Sequence, residues 1–179
     1  MEGYETTIHG YDITNLRVGT VDVEGTKTWL DDEAVVRPEA IEVELTQNGE
    51  VIDTQTVTEE LEWSYFFADL AQFDSQGVAF EYTVQEVAVE GYEATVTGYD
   101  ITNLRIGTTS VEGSKTWKDD TEADRPESIW VNLIQNGIVI ETKEVTAQEH
   151  WTYQFTNLAQ YDEYGVAYSY TIREQGVPG

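Results

Sequence analysis

The run Val21-Asp22-Val23-Glu24-Gly25-Thr26-Lys27-Thr28-Trp29 decides the fold. Read as a strand, it sends Val21, Val23, Gly25, Lys27 and Trp29 to one face and Asp22, Glu24, Thr26 and Thr28 to the other. The first face belongs against a core, and it carries a lysine. Two other runs do the same. Phe80, Tyr82 and Val84 lead to Glu86, while Glu81, Thr83 and Gln85 point away; Tyr99 and Ile101 lead to Asn103. An unpaired buried charge is expensive, so Lys27, Glu86 and Asn103 are expected to meet. An amine, a carboxyl and a carboxamide together in a dry core have the chemistry of a spontaneous intramolecular amide cross-link.

The same pattern occurs twice. GYETTIHGYDITNLR at 3–17 returns as GYEATVTGYDITNLR at 91–105, and VEGTKTWLDD at 23–32 as VEGSKTWKDD at 111–120, an offset of 88 without insertion. Arg37-Pro38-Glu39, Asn48-Gly49, Trp63-x-Tyr65-x-Phe67, Gly77, Tyr82 and Glu86 all have partners at that offset, the last being Glu174. So long a period means tandem domains rather than a solenoid. Within a unit, polar and apolar residues alternate at 41–46 and 92–97, and less cleanly at 51–57. Asn-Gly at 48–49 and 136–137 predicts tight hairpins. Residues 63–67 predict a core-facing strand, and 70–77 and 158–165 predict loops ending in Gly. Short strands at this spacing predict an all-β chain of tandem sandwiches with about seven strands each.

The phase of the repeat sets the domain expectation. Residues 1–17 read as the last strand of a preceding repeat, 18–107 as a complete repeat, and 108–179 as a second repeat lacking its last strand. The 3–17 segment is then expected to fill the vacant place in the second repeat, head to tail, in a neighbouring molecule. A rival phase divides the chain at 90/91 and opposes Asn15 to Lys27 and Asn103 to Lys115. It ranks lower, because the short link from Asn15 to Lys27 favours an antiparallel hairpin, whereas first and last strands of this sandwich should pair in parallel.

The chain has 179 residues, 35 acidic against 9 Lys and Arg, for a net charge of −26. Such a surface repels nucleic acid and anionic membranes. No run is apolar enough to span a bilayer, and no signal peptide is visible. With no cysteine, disulfides, thiol catalysis and thiolate metal sites are excluded. Neither His9 nor His150 recurs, which argues against a histidine-based site in the repeated unit. The acidic runs Asp31-Asp32-Glu33 and Asp119-Asp120 lack the spacing of a dedicated calcium loop and read as solvated turns. Arg37 and Arg125, each before Pro, are expected to anchor loops on nearby acids. Trp29, Trp63, Trp117 and Trp151 are expected in the core. Trp130, whose counterpart is Glu42, is expected to face outward. No nucleophile–base pair is visible, so no enzyme and no cofactor is expected.

Taken in order, Lys27-Thr28-Trp29, Asp31-Asp32, Arg37-Pro38, Asn48-Gly49, Trp63-x-Tyr65-x-Phe67, Gly77, Tyr82-Thr83-Val84-x-Glu86, Gly91-Tyr92 and Ile101-Thr102-Asn103 resemble the Cna B-type domain of Gram-positive surface adhesins. The resemblance covers essentially the whole chain. It implies a prealbumin-like or reverse-immunoglobulin sandwich, repeated as the stalk of an extracellular, cell-wall-anchored adhesin, with neighbouring repeats as partners. It also implies an isopeptide bond from Lys27 to Asn103, promoted by Glu86. In the second copy Lys115 and Glu174 match, and Asn15 is the spare asparagine that matches the missing partner. Burial lowers the pKa of an amine and raises that of a carboxyl, which favours a neutral nucleophile beside a proton donor. The alternatives are a buried Lys–Glu pair with no covalent bond, and a module that binds host matrix or glycan through an exposed edge or loop.

Overall fold

A computed structural model describes residues 2–32, 37–118, 121–122 and 125–176. The chain forms two compact units, the first ending at Arg105 and the second beginning at Ile106.

Unit 1 opens with a separate two-stranded hairpin, β1 (Tyr4–His9) and β2 (Asp12–Arg17). Seven strands follow: β3 (Thr20–Leu30), β4 (Ala40–Gln47), β5 (Glu50–Thr58), β6 (Ser64–Ala71), β7 (Tyr82–Glu86), β8 (Tyr92–Thr97) and β9 (Asp100–Arg105). They form one sheet in the order β6-β3-β9-β8 and a second in the order β5-β4-β7. Val23, Trp29, Tyr65, Phe67 and Ile101 from the first meet Ile41, Val43, Leu45, Val57, Tyr82 and Val84 from the second in one core. The alternation of β3 is realised along its length, with Val23, Gly25, Lys27 and Trp29 buried between exposed neighbours. β3 and β9 run parallel, Lys27 opposite Ile101 and Trp29 opposite Asn103. The other strand pairs are antiparallel.

Local sequence explains the joints. Asn48 and Gly49 both have positive φ (51° and 87°), as a two-residue turn matched to strand twist requires. The Asn48 side-chain oxygen also accepts the Glu81 N–H at 2.9 Å, which ties this turn to the start of β7. Before β6, residues Glu59–Leu61 make a single 3-10 turn, closed by Glu62 and Trp63 in the left-handed region.

Unit 2 repeats the plan with β10 (Thr108–Ser114), β11 (Ser128–Gln135), β12 (Ile138–Thr146), β13 (Thr152–Ala159) and β14 (Tyr170–Glu174). Its sheets are β10-β13 and β12-β11-β14, around Ile129, Val131, Leu133, Val145, Tyr153, Phe155 and Leu158. Among its described residues it has no counterpart of β8 and β9. β10 stops at Ser114, where its twin β3 continues to Leu30 alongside β9.

Several sequence expectations shift by a few residues. Trp63 lies in the turn before β6 rather than on the strand, though it still packs against the core. Leu70 and Ala71 belong to β6, so the loop begins at Gln72. The alternation at 92–97 does not report burial: β8 is an edge strand, and only Tyr92 is half-buried. β5 is likewise an edge, with Val57 buried and Val51 and Ile52 exposed. Tyr99 is exposed too, because it sits at the mouth of the β8–β9 turn; its carbonyl, not its ring, faces the interior.

Candidate functional site: a buried lysine, glutamate and asparagine

Lys27 lies on β3 and Asn103 on β9, in the same sheet. Both point inward as diagonal neighbours two positions apart in the register, within reach of a long side chain. Glu86 comes from β7 in the facing sheet, opposite Val43. Lys27 is 5% exposed and Asn103 0%, and the side chains of Lys27 and Glu86 are completely buried. Lys27 Nζ lies 2.8 Å from Glu86 Oε1. The two form a buried ion pair, while both polar atoms of Asn103 lack a hydrogen-bond partner. Leaving a buried polar group unmatched costs about 1–3 kcal/mol each. The site sets an unmatched carboxamide beside a buried ion pair in an apolar core.

Burial and the ion pair act on the amine in opposite directions. Burial pulls the Lys27 pKa below its ordinary value, and Glu86 opposes that pull through contact and charge. The Trp29 ring lies with its centroid 4.5 Å from Nζ. Trp29 is in turn held edge-on by Trp63 and Tyr92, at 5.2 and 4.9 Å between ring centroids.

Contacts that sequence reading missed place β9 against β3. Asp100 Oδ1 accepts both the Thr26 N–H and the Thr26 hydroxyl, each at 2.9 Å. One residue earlier, the Tyr65 hydroxyl donates to the Tyr99 carbonyl oxygen. Burial pushes the Tyr65 pKa up to about 12, so this donor keeps its proton. The tyrosine crosses Gly25, and the approach is so close that a Cβ there would collide with the Tyr99 carbonyl oxygen. The sequence signal was the recurrence of Gly-x-Lys and Tyr-Asp-Ile-Thr-Asn; their pairing across 74 residues was not readable.

A second anchor holds the far end of β3. Arg37 grips the buried Asp31 carboxylate through Nε at 2.9 Å and Nη2 at 2.6 Å, and the Tyr92 hydroxyl donates to it at 3.0 Å. These bonds, Arg37 first, hold the Asp31 carboxyl below its ordinary 3.8 against the opposing pull of burial. A depressed acid stabilises the fold above its unfolded pKa and loses that contribution as pH falls through its folded value. Arg37→Ala should therefore cost about 1–2 kcal/mol near neutral pH. The gap from the parent should close as pH drops below 3.8, read from urea midpoints across pH. A pH-independent gap would mean that Arg37 acts through packing alone. Arg125 pairs with Glu122 at 3.8 Å in unit 2.

In unit 2 the Lys115 ammonium donates to Glu174 Oε2 at 2.8 Å and lies 4.5 Å over Trp117. This pair is half-open, with side chains 25% and 32% exposed, and it lines a cavity of about 100 Å³. Asn15 stands exposed on β2, accepting a hydrogen bond from the Thr6 hydroxyl across the hairpin at 2.7 Å. Trp130 is exposed on β11. Of the acidic runs, Glu33, Asp119 and Asp120 lie outside the described residues. Among the described residues, no cluster of three acidic or histidine side chains is placed to hold a metal.

With this geometry in hand, comparison with known proteins is informative. The Cna protein B-type domain matches residues 23–104 and again 111–179. A collagen adhesin of Staphylococcus aureus is 35% identical over 190 residues, covering 99% of this chain and 16% of that protein. The chain thus spans about a sixth of that relative. A solved single B repeat unit of the S. aureus collagen-binding surface protein is 35% identical, with 89% of this chain and 87% of that one covered and a TM-score of 0.47. A solved pair of B repeat units of the same protein is 34% identical, with coverages of 98% and 50% and a TM-score of 0.49. On the sequence match across both of its repeats, the chain belongs to the Cna protein B-type domain family.

Proposed function

We propose that the chain is a stretch of stalk or spacer repeats from a bacterial surface adhesin, standing outside the cell and anchored to the wall of a Gram-positive organism. Unit 1 is locked by an amide between Lys27 Nζ and Asn103 Cγ, made with the help of Glu86. The repeat runs over 18–107, opened by β3 and closed by β8 and β9. Residues 1–17 carry the sequence of a closing hairpin, and 108–179 form a second repeat. Membership of the family supports the spacer role. The observation that carries the covalent lock is the complete burial of the three side chains, with the Asn103 carboxamide unmatched.

The chemistry follows from the contacts. Lys27 passes a proton to Glu86 across 2.8 Å, leaving a neutral amine and a carboxylic acid. The acid donates to the Asn103 carboxamide oxygen and polarises Cγ. Nζ attacks Cγ and the new C–N bond forms. A proton moves from Nζ to Nδ2, the Cγ–Nδ2 bond breaks, and one ammonia leaves. The fold supplies the proximity, and the reaction occurs once per chain. The product removes the buried charge. It also replaces five N–H donors, three on the ammonium and two on the carboxamide, by one amide N–H, which Glu86 can accept while donating to the new carbonyl.

Intact mass under denaturing conditions tests this. The expected result is the loss of one ammonia, with a digest peptide joining Lys27 to Asn103. An unmodified mass would leave a sandwich with a buried ion pair and no lock.

A further inference from the structure

β6 ends its sheet, with β3 on one side and a strand edge on the other. An exposed edge is a template for a further strand. Trp63-Ser64-Tyr65-Phe66-Phe67-Ala68 carries no charge, Pro or Gly in a chain of net charge −26, the composition of a segment that stacks on its own kind. Tyr65 and Phe67 are buried, whereas Phe66 is 49% exposed. One side chain covers the Phe66 backbone. Gln55 reaches over from β5 in the facing sheet: its Oε1 accepts the Phe66 N–H at 3.2 Å, and its Nε2 donates to the Phe66 carbonyl at 2.7 Å. Opposed residues of an antiparallel ladder exchange the same two bonds. The Gln55 amide thus stands in for a residue of a neighbouring strand. Unit 2 treats the equivalent place differently. Lys143, the twin of Gln55, donates to the Gln154 carbonyl at 3.2 Å. Lysine has no acceptor, so it serves the carbonyl alone and adds a charge to the edge. The strand it covers is also more polar: β13 turns Thr152, Gln154 and Thr156 outward where β6 turns Ser64, Phe66 and Ala68. The two-bond cap goes with the apolar edge.

We propose that Gln55 guards a self-pairing edge: its side chain occupies the bonds by which β6 of one copy of this chain would join β6 of a second copy, antiparallel and centred on Phe66. The partner is a second copy because the guarded bonds are self-complementary. Each Phe66 offers the other the donor and the acceptor it needs. In that register Ser64 faces Ala68, the two Phe66 rings pack together, and no charge meets its like. Asp69, at positive φ beside a register shift, ends the run and keeps the pairing short. Where many identical chains stand side by side, the guard keeps neighbours from fusing laterally. The inference concerns β6 alone and is independent of the amide proposed for unit 1. Each copy carries a net charge of −26, so pairing is readable only where salt screens it.

The test compares the whole chain with its Gln55→Ala variant over a concentration series in about 1 M salt, where charges are screened over about 3 Å. Sedimentation gives the mass, and amide exchange followed by NMR reports on Phe66. Gln55 is half-buried on an edge strand, so the variant should fold. The expected result is a parent that stays monomeric with a slowly exchanging Phe66 amide. The variant's mass should climb toward twice that of the chain, and its Phe66 amide should exchange fast when dilute and slowly again when concentrated. Adding Phe66→Lys to the variant sets like charges opposite each other and should restore the monomer, although it lowers the overall repulsion between copies. Gln55→Lys, the residue that unit 2 uses, should also stay monomeric. A Gln55→Ala chain that remains monomeric, with Phe66 exchanging fast at every concentration, overturns the proposal. So does a dimer that survives Phe66→Lys or leaves the Phe66 amide exposed, since its contact would lie elsewhere. A parent that associates as readily as the variant would show that Gln55 guards nothing.

Discussion

Glu86→Gln should keep the ammonia of unit 1: the Asn103 carboxamide survives, and Lys27 and Asn103 are recovered on separate peptides. Glutamine fills nearly the same volume, so the expected defect is chemical. It cannot take the lysine proton, and it has no acid proton with which to polarise the Asn103 carboxamide. Asn103 would still face Lys27, but the amine would stay protonated beside a neutral amide. Two losses of stability then combine. The closed loop between residues 27 and 103 opens, and a cross-link of that span contributes roughly 4–5 kcal/mol in the chain-entropy treatment. Lys27 is also left buried without its counter-ion, and breaking one side of such a pair costs about 3–5 kcal/mol. Against the 5–15 kcal/mol that stabilises an ordinary domain, unit 1 should melt far earlier or fail to fold. Replacing both partners, Lys27→Met with Glu86→Leu, separates the two terms. The double variant abolishes the bond and removes both buried charges, so it should lose mainly the loop contribution in a chemical denaturation series. A Glu86→Gln chain that lost ammonia as readily as the parent would remove glutamate from the mechanism.

Gly25→Ala should have the next largest effect, although Gly25 makes no part of the cross-link. Its new methyl group would fall on the Tyr99 carbonyl oxygen and within 2.5 Å of the Tyr65 hydroxyl. A backbone carbonyl cannot rotate away, so the start of β9 must lift from β3. Overpacking of this kind costs about 1–3 kcal/mol. The larger consequence is kinetic. Asn103 lies three residues beyond Asp100 on the displaced strand, and a misplacement near 1 Å can slow a positioned reaction by about 100-fold. The fraction of newly made chain that has lost ammonia, followed over time, measures this directly. Gly113→Ala is the internal control: the nearest atoms its methyl would meet belong to the Tyr153 side chain and not to backbone, so unit 2 should be disturbed less. Full linkage of Gly25→Ala at the earliest time would show that β9 need not sit so close.

The three site residues were legible because strands alternate. Lys27 lies within a run of same-face apolar residues and Glu86 and Asn103 each close one, and burial then follows from the phase. Asn48-Gly49 was legible because few residues accept positive φ at both turn positions. Phase does not reveal whether a strand lies at an edge. Residues 92–97 alternate as well as 41–46 do, yet β8 is exposed and β4 is buried. Nor does it reveal hydrogen bonds between distant strands, so Asp100 on Thr26 and Tyr65 on Tyr99 were invisible. The Lys115–Glu174 pair illustrates the same limit. Its phase matches that of Lys27–Glu86, but its exposure differs because in unit 1 β9 covers the lysine.

The β3–β9 ladder also bears on how unit 1 folds. Its partners, such as Lys27 and Ile101, are among the most widely separated in the unit. Contacts of this kind must be found before they reward the chain, which makes them slow to form. A chain folding for the first time makes that search with free ends. A chain that has already formed the Lys27–Asn103 amide keeps the two strands tethered even when denatured. Its second folding should be faster than its first, and no reducing agent would erase the difference. Unit 1 would then carry a permanent record of having folded once.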